Sequence, residues 1–315
     1  MSLHIIRPGL QTSIQDGGRP GWMRYGVARG GAADPVAMHM ANTLLQNSPT
    51  HPCLEITLTG PEIAFEASLC IAVCGARFDL TLNDEPVAND TVLPISAGDR
   101  LSFGRLGSGA RAYLAMSAEM DVTEVFNSCA THLQTAFGGF LGRALRAGDR
   151  VPLSHCRQVP SRTLPSVYRL QYGNRPLLRV VEGAEAACFG PDSRRAFFRN
   201  TYRVSADSNR MGIRLQGIPL NTEDIPQMVS SGLCPGTVQI PAGGEPIIAF
   251  VEAQTLGGYP RIAHVIEADQ PRLAQLKPGD RLDFERIEIA EAQRILQEQK
   301  RLLAGLEAQL REERL

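Results

Sequence analysis

The sequence predicts a mainly β protein: two strand-rich halves, each closing into a barrel with a few short helices, followed by a C-terminal amphipathic helix. Three observations carry that prediction. Glycine and proline are plentiful, at 30 and 21 of 315 residues, while aromatic residues make up 6%; this balance suits many short strands joined by turns. Between residues 54 and 103 the runs E-I-T-L, E-I-A-F, L-C-I-A-V-C and F-D-L-T-L are separated by turn signals at Gly60-Pro61, Gly75 and Asn83-Asp84-Glu85-Pro86, the spacing of a barrel or sandwich. A short pattern also recurs. A-G-D-R-L-S-F at 97–103 returns as P-G-D-R-L-D-F at 278–284, with a looser copy, A-G-D-R-V-P-L, at 147–153. A tight turn feeding a strand near the end of each half fits two related barrels; chance recurrence of a common turn fits it equally well.

The elements follow in chain order. Residues 10–15 alternate, with Leu10, Thr12 and Ile14 on one face, as a short strand does. Asp16-Gly17-Gly18 is a turn signal. Asp34 then caps a helix with Pro35 at its first position, where the missing N–H costs nothing. Val36, Ala37, Met40, Ala41, Leu44 and Leu45 form one apolar stripe, and Asn47 and Pro49 end the helix. Helical geometry sets Asn42 opposite that stripe, which predicts solvent exposure. The stretch 158–165, Q-V-P-S-R-T-L-P, reads as a linker, and strands resume at 177–182, 237–240 and 246–252. From Ile289 the tail is helical, with Ile295, Leu296, Leu302, Leu303, Leu306 and Leu310 as its stripe, directed at its own barrel or at another chain. The expected division is therefore a first barrel domain at 1–156, a linker at 157–166, a second barrel domain at 167–288 and a terminal helix at 289–315.

Composition narrows the function. The net charge of −1 gives no broad field for nucleic acid or anionic membrane. The only lysines are Lys277 and Lys300, so anion binding falls to arginine forks and Schiff-base chemistry is a poor fit. Seven scattered cysteines without a C-x-x-C pair fit reduced thiols in the cytoplasm. No secretory signal is expected from the N-terminal residues, and no apolar run is long enough to span a bilayer. No P-loop, dinucleotide fingerprint or nucleophile elbow is present, and the six histidines form no zinc-binding pair, so no metal site is expected on this chain.

Four stretches remain. In I14-Q-D-G-G-R-P-G-W22, Asp16 and Arg19 pair across the turn or present a carboxylate and a guanidinium at a barrel mouth. In A206-D-S-N-R-M-G-I-R-L215, Arg210 is an exposed loop arginine or a carboxylate or phosphate clamp. In V-Q-I-P-A-G-G-E-P at 238–246, Gln239 faces away from Val238 and Ile240, toward water or a polar cavity. In V-E-A-Q-T-L-G-G-Y-P-R-I-A at 251–263, Gln254, Thr255 and Tyr259 offer hydrogen bonds and a flat ring, but no strong nucleophile.

Read in order, these stretches together with G31-A-A-D-P, A41-N-T-L-L-Q-N and L54-E-I-T-L-T-G-P resemble the biotin-dependent carboxyltransferase family, which includes allophanate-hydrolase-type second subunits, Kip antagonist proteins and 5-oxoprolinase C subunits. The resemblance runs from about residue 3 to 290 and leaves out the last 25 residues. It implies a pair of cyclophilin-like barrels. It further implies ATP-dependent hydrolysis of 5-oxoproline, with ATP and its magnesium as co-substrate and the B and A subunits of the enzyme as partners. A urea-carboxylase-type carboxyltransferase and a Kip-antagonist-type binding protein are the alternatives. Neither lysine follows a methionine, so no covalently bound biotin is expected here. Under this resemblance Asp16, Asp34 and Arg210 are the candidate catalytic residues; Gln15, Arg19, Asn42, Asn209, Gln239, Gln254, Thr255, Gly257, Gly258 and Tyr259 are candidates for substrate binding. The Gly257-Gly258 pair would let the backbone approach a small ligand. Departures from the family pattern are Ile213, Glu252 and the turn Ala242-Gly243-Gly244-Glu245.

Overall fold

The computed structural model describes residues 1–223, 225, 226 and 228–312, with backbone only for 311 and 312; the end of the expected tail helix, 313–315, lies outside the described residues. The fold is mainly β, as expected. The chain divides into two compact units: Met1–Arg19, Gly30–Tyr172 and the chain from Arg301 on form the first, and Pro20–Arg29 with Gly173–Lys300 the second.

The first unit is built on a ten-stranded sheet. Gln11–Gln15 pairs antiparallel with Cys53–Thr57, which pairs with the long strand Arg100–Met116. That strand also pairs with Leu69–Leu82, from Ile71 opposite Met116 to Leu82 opposite Leu101, through register shifts after Gly75, Arg77 and Phe78. Such bulges increase local twist and bend long strands. One face carries the apolar core, with Leu3, Ile5, Ile14, Leu54, Ile56, Phe65, Leu114 and Val151 all buried.

The helix Pro35–Leu44 forms where expected, with Asp34 Oδ1 accepting from the Ala37 amide at 2.9 Å. It is buried on nearly every side, which corrects the prediction for Asn42. This residue is 0% exposed, donates to the His51 carbonyl at 2.9 Å and accepts from Asn47 Nδ2 at 3.0 Å, so it anchors the chain leaving the helix. A second apolar cluster joins Met40, Leu44, Tyr113 and Ala115 to Leu303, Leu306 and Leu310 of the last helix, Ile289–Glu312. That settles the destination of the tail stripe at these positions on its own chain; Leu302 is exposed. The segment read as a linker packs in the first unit. Leu164 is fully buried and its amide bonds to the Asp90 carbonyl, while Val92 N–H donates to the Arg162 carbonyl.

The second unit contains a closed barrel. Its strands run Leu177–Glu182, Arg261–Val265, Thr237–Gln239, Ile247–Ala249, Gly212–Gln216, Tyr202–Val204 and Arg281–Arg286, and the last pairs in parallel with the first. Inward positions are apolar: Leu178, Val180, Val204, Ile213, Leu215, Val238, Ile248, Val265 and Leu282 are all buried. Phe197 stacks on Phe284 at 4.5 Å and lies 5.9 Å from Tyr202.

The three G-D-R copies share one local geometry. Gly98, Gly148 and Gly279 have φ of 98°, 89° and 91°, the left-handed region that glycine enters without strain. In each copy the aspartate closes the turn onto the residue three before it: Asp99 accepts from Ser96 N–H at 2.7 Å, Asp149 from Arg146 N–H at 2.7 Å and Asp280 from Lys277 N–H at 3.1 Å. A strand begins at the following arginine each time, at Arg100, Arg150 and Arg281. The short pattern thus encodes a turn with an aspartate clip, in both units.

Candidate functional site

Three strands of the second barrel set up a groove on their outer face. Along Gly212–Gln216, Ile213 and Leu215 enter the core, so Gly212 and Arg214 face outward. Arg214 sits opposite Ile247, which sits opposite Gln239; Gly212 sits opposite Ala249. These residues form the back wall of a cavity of about 190 Å³. Leu233, Ala249 and Ala253 make a small buried apolar cluster at its base, and Asn209, Gln254 and Tyr259 complete the lining.

The polar groups here are only partly occupied by the protein itself. Asn209 Oδ1 accepts from Met211 N–H at 2.8 Å and closes its own loop, which leaves the Nδ2 donors unused among the described residues. Gln239 Nε2 donates to the Tyr259 carbonyl at 3.3 Å. Gln239 is only 5% exposed and lines this mixed polar and apolar cavity, so it does not face open water. A Cβ on Gly257 would lie 2.7 Å from Gln239 Nε2, so the bare backbone there makes room for the Gln239 amide. A Cβ on Gly258 would approach Ser230 Oγ at 3.2 Å. Thr255 gives its carbonyl to Leu233 N–H at 2.9 Å and does not line the cavity.

Arg210 is not an exposed loop arginine. It is 5% exposed and its Nε donates to Glu252 Oε1 at 2.5 Å; Glu252 is 2% exposed, and its amide donates to the Arg210 carbonyl at 2.8 Å. The pair locks the loop before Gly212 to the loop after Ala249. The groove's own guanidinium belongs to Arg214, a residue that sequence reasoning passed over. Its signal was available: on a strand whose Ile213 and Leu215 point inward, Arg214 shares the outer face with Gly212.

The candidates of the first unit are all buried and engaged. Gln15 Nε2 donates to Ser13 Oγ at 3.0 Å and to the Thr131 carbonyl at 3.1 Å. Asp16 accepts from Gly18 N–H at 2.7 Å, Ser128 Oγ–H at 2.7 Å and Cys129 N–H at 2.6 Å. Arg19 is 0% exposed, donates to the carbonyls of Ala130 at 2.5 Å and Val125 at 3.4 Å, and lies 4.8 Å over the Phe137 ring. Asp34 caps its helix with one oxygen and accepts from the Tyr172 hydroxyl at 3.0 Å with the other. Its amide donates to the Tyr113 hydroxyl at 2.7 Å, which in turn donates to Glu55 Oε2 at 2.8 Å. Burial, then the nearby carboxylates, hold both tyrosine hydroxyls well above their usual range, so both stay protonated donors. These residues belong to the first unit and the groove to the second.

Among the described residues no group of three or more His, Cys, Asp or Glu is placed to hold a metal ion. No described helix is long and apolar enough to cross a membrane. All seven cysteines are free, and burial pushes the Cys129 thiol up to about 11, so it is a poor nucleophile near neutral pH.

Residues 25–286 match the family model described as "Carboxyltransferase domain, subdomain A and B". The chain belongs to this carboxyltransferase family. It is 40% identical over 311 residues to the 5-oxoprolinase C subunit of Escherichia coli (strain K12), covering 99% of both chains. It is 33% identical over 298 residues to the 5-oxoprolinase C subunit of Haemophilus influenzae, covering 93% of this chain and 94% of that one. It is also 31% identical over 336 residues to the urea amidolyase of Lachancea kluyveri, where 97% of this chain spans only 18% of the relative. Among solved structures, the K. lactis urea carboxylase superposes with a TM-score of 0.91 at 28% identity, covering 97% of this chain and 29% of that one. The family match takes in the Asn209, Arg214, Gln239 and Tyr259 groove and stops before the terminal helix.

Proposed function

We propose that this carboxyltransferase-family chain is the C subunit of an ATP-dependent 5-oxoprolinase, converting 5-oxo-L-proline to L-glutamate together with the B and A subunits. The observation that carries the reading is the end-to-end correspondence with the E. coli 5-oxoprolinase C subunit, at 40% identity and 99% of both chains. The groove is consistent with it: the side-chain amides of Asn209, Gln239 and Gln254 suit the C=O and N–H of a small lactam.

The chemistry explains the need for ATP. A lactam amide resists direct attack, and phosphorylation of its oxygen makes a better electrophile and couples ring opening to ATP cleavage. The residues present do not by themselves fit a nucleotide site. The groove supplies one guanidinium and several amides, without a phosphate-cradling glycine loop or a carboxylate cluster for magnesium among the described residues. In this reading ATP and its magnesium are bound with the B subunit, the chain is inactive alone and works in the cytoplasm, and no phosphoryl-transfer step is assigned to its residues.

Purification of the chain with and without the B and A subunits, followed by measurement of glutamate and ADP from 5-oxoproline and ATP, tests the proposal. Formation of both products only by the full set is expected; no ADP or glutamate from the full set overturns it. The urea amidolyase and urea carboxylase relatives favour a second reading, a carboxyltransferase using carboxybiotin supplied in trans. Biotin-dependent incorporation of bicarbonate would show that instead.

A further inference from the structure

We propose that Arg214 is the residue that takes the substrate's carboxylate, and that the groove it lines is built for a small cyclic amide bearing one negative charge. This rests on the 5-oxoprolinase reading and goes further by naming the residue that selects a charged substrate. An anionic substrate needs a cation that the fold has not already neutralised, and the second unit's arginines around the groove differ sharply on this point. Arg210 is buried against Glu252. Arg261 is held by both oxygens of Glu185, with Nε at 2.6 Å from Oε2. Arg214 alone of the three lines the cavity, and its exposed guanidinium makes no hydrogen bond or ion pair with any described residue. It also lines a neighbouring groove with Asp207 and Glu245, neither of which closes an ion pair with it.

The placement matches the ligand class. Arg214 and Gln239 flank Ile247 across three neighbouring strands, so a charged fork stands at one end of the row and a buried amide at the other. Asn209 adds unused N–H donors beside them. A ring seated on Ile247 and Ala249 presents its carboxylate to Arg214 and its lactam edge to the amides. Guanidinium binds both oxygens of a carboxylate at once, whereas a neutral urea or an unsubstituted lactam leaves it unsatisfied.

The experiment uses the assembled complex and compares kcat/KM for 5-oxoproline with that for 2-pyrrolidinone, the same lactam without the carboxylate. Wild type should prefer 5-oxoproline. Arg214→Gln should compress that preference on the order of 10- to 100-fold, chiefly through KM for 5-oxoproline, as expected for losing hydrogen bonds to a charged group. Arg214→Lys should restore part of it as a point charge. Thermal unfolding and complex assembly of both variants should match wild type, because the side chain holds nothing else in place. A wild-type preference in Arg214→Gln overturns the assignment while leaving the oxoprolinase reading intact. Absence of wild-type turnover of 5-oxoproline overturns that reading and the assignment with it.

Discussion

As sequence, the first unit's stretch Q15-D-G-G-R19 is much like the second unit's stretches around Asn209, Gln239 and Gln254–Tyr259: glycines beside amides, a carboxylate or an arginine. In the fold they do opposite things. The former is a clasp, whose Gln15, Asp16 and Arg19 bond to Ser13 and to residues 125–131 and are closed to solvent. The latter line a cavity, where Asn209 and Arg214 keep donors that the described residues leave unused. Gln15 Oε1 is also without a hydrogen bond to the described residues, but it is sealed from solvent; access to unused hydrogen-bonding atoms, not the residue types, separates a structural turn from a recognition surface.

Substitutions can break that contrast. The largest effects fall on the buried arginines. Arg210→Ala leaves Glu252 as a buried carboxylate without its cation and should cost about 3–5 kcal/mol. Arg19→Ala removes charged donors from two carbonyls and should cost about 3 kcal/mol. Urea denaturation of both against Arg214→Gln measures the difference; a stable Arg19→Ala variant would mean that the clasp is not structural. Asp16→Asn comes next, at about 2 kcal/mol, because an amide cannot accept from Gly18, Ser128 and Cys129 together as well as a carboxylate does. Gly257→Ala should leave the melting temperature nearly unchanged, since the end of the Gln239 side chain can move aside, but should raise KM for 5-oxoproline several-fold in steady-state assays.

The smallest effect is in acid, and both units share it. Hydrogen bonds from Arg143 hold Asp149 below its usual carboxylate range, and Arg261 does the same for Glu185. A depressed folded-state pKa gives stability that is fully present above the unfolded carboxylate value near 4 and is lost as pH falls through the folded value. Asp149→Asn and Glu185→Gln should therefore each flatten the acid limb of stability against pH, by no more than about 1 kcal/mol. Chemical denaturation at pH 7 and at pH 3 checks the sign: the gap between variant and wild type must narrow in acid.

Local pattern was legible wherever neighbours in sequence decide the structure. The Asp34-Pro35 helix start, the tight G-D turns that feed strands and the turning of Gln239 away from Val238 are set within a few residues, and they appear as expected. Asn42 was not legible, because its burial depends on the chain returning over it at His51. Gln239 was ambiguous until it was seen to line a cavity.

By itself the sequence determined a mainly β chain, its family, and short stretches rich in polar side chains near glycines. Only the tertiary structure decided which of those side chains remain available. Asp16 meets Ser128 and Cys129 more than a hundred residues away, and Arg210 meets Glu252 across 42. Hydrogen bonds saturate, so a group engaged by such a distant partner is withdrawn from recognition. No local pattern carries that information, and it is what leaves Arg214 free at the groove.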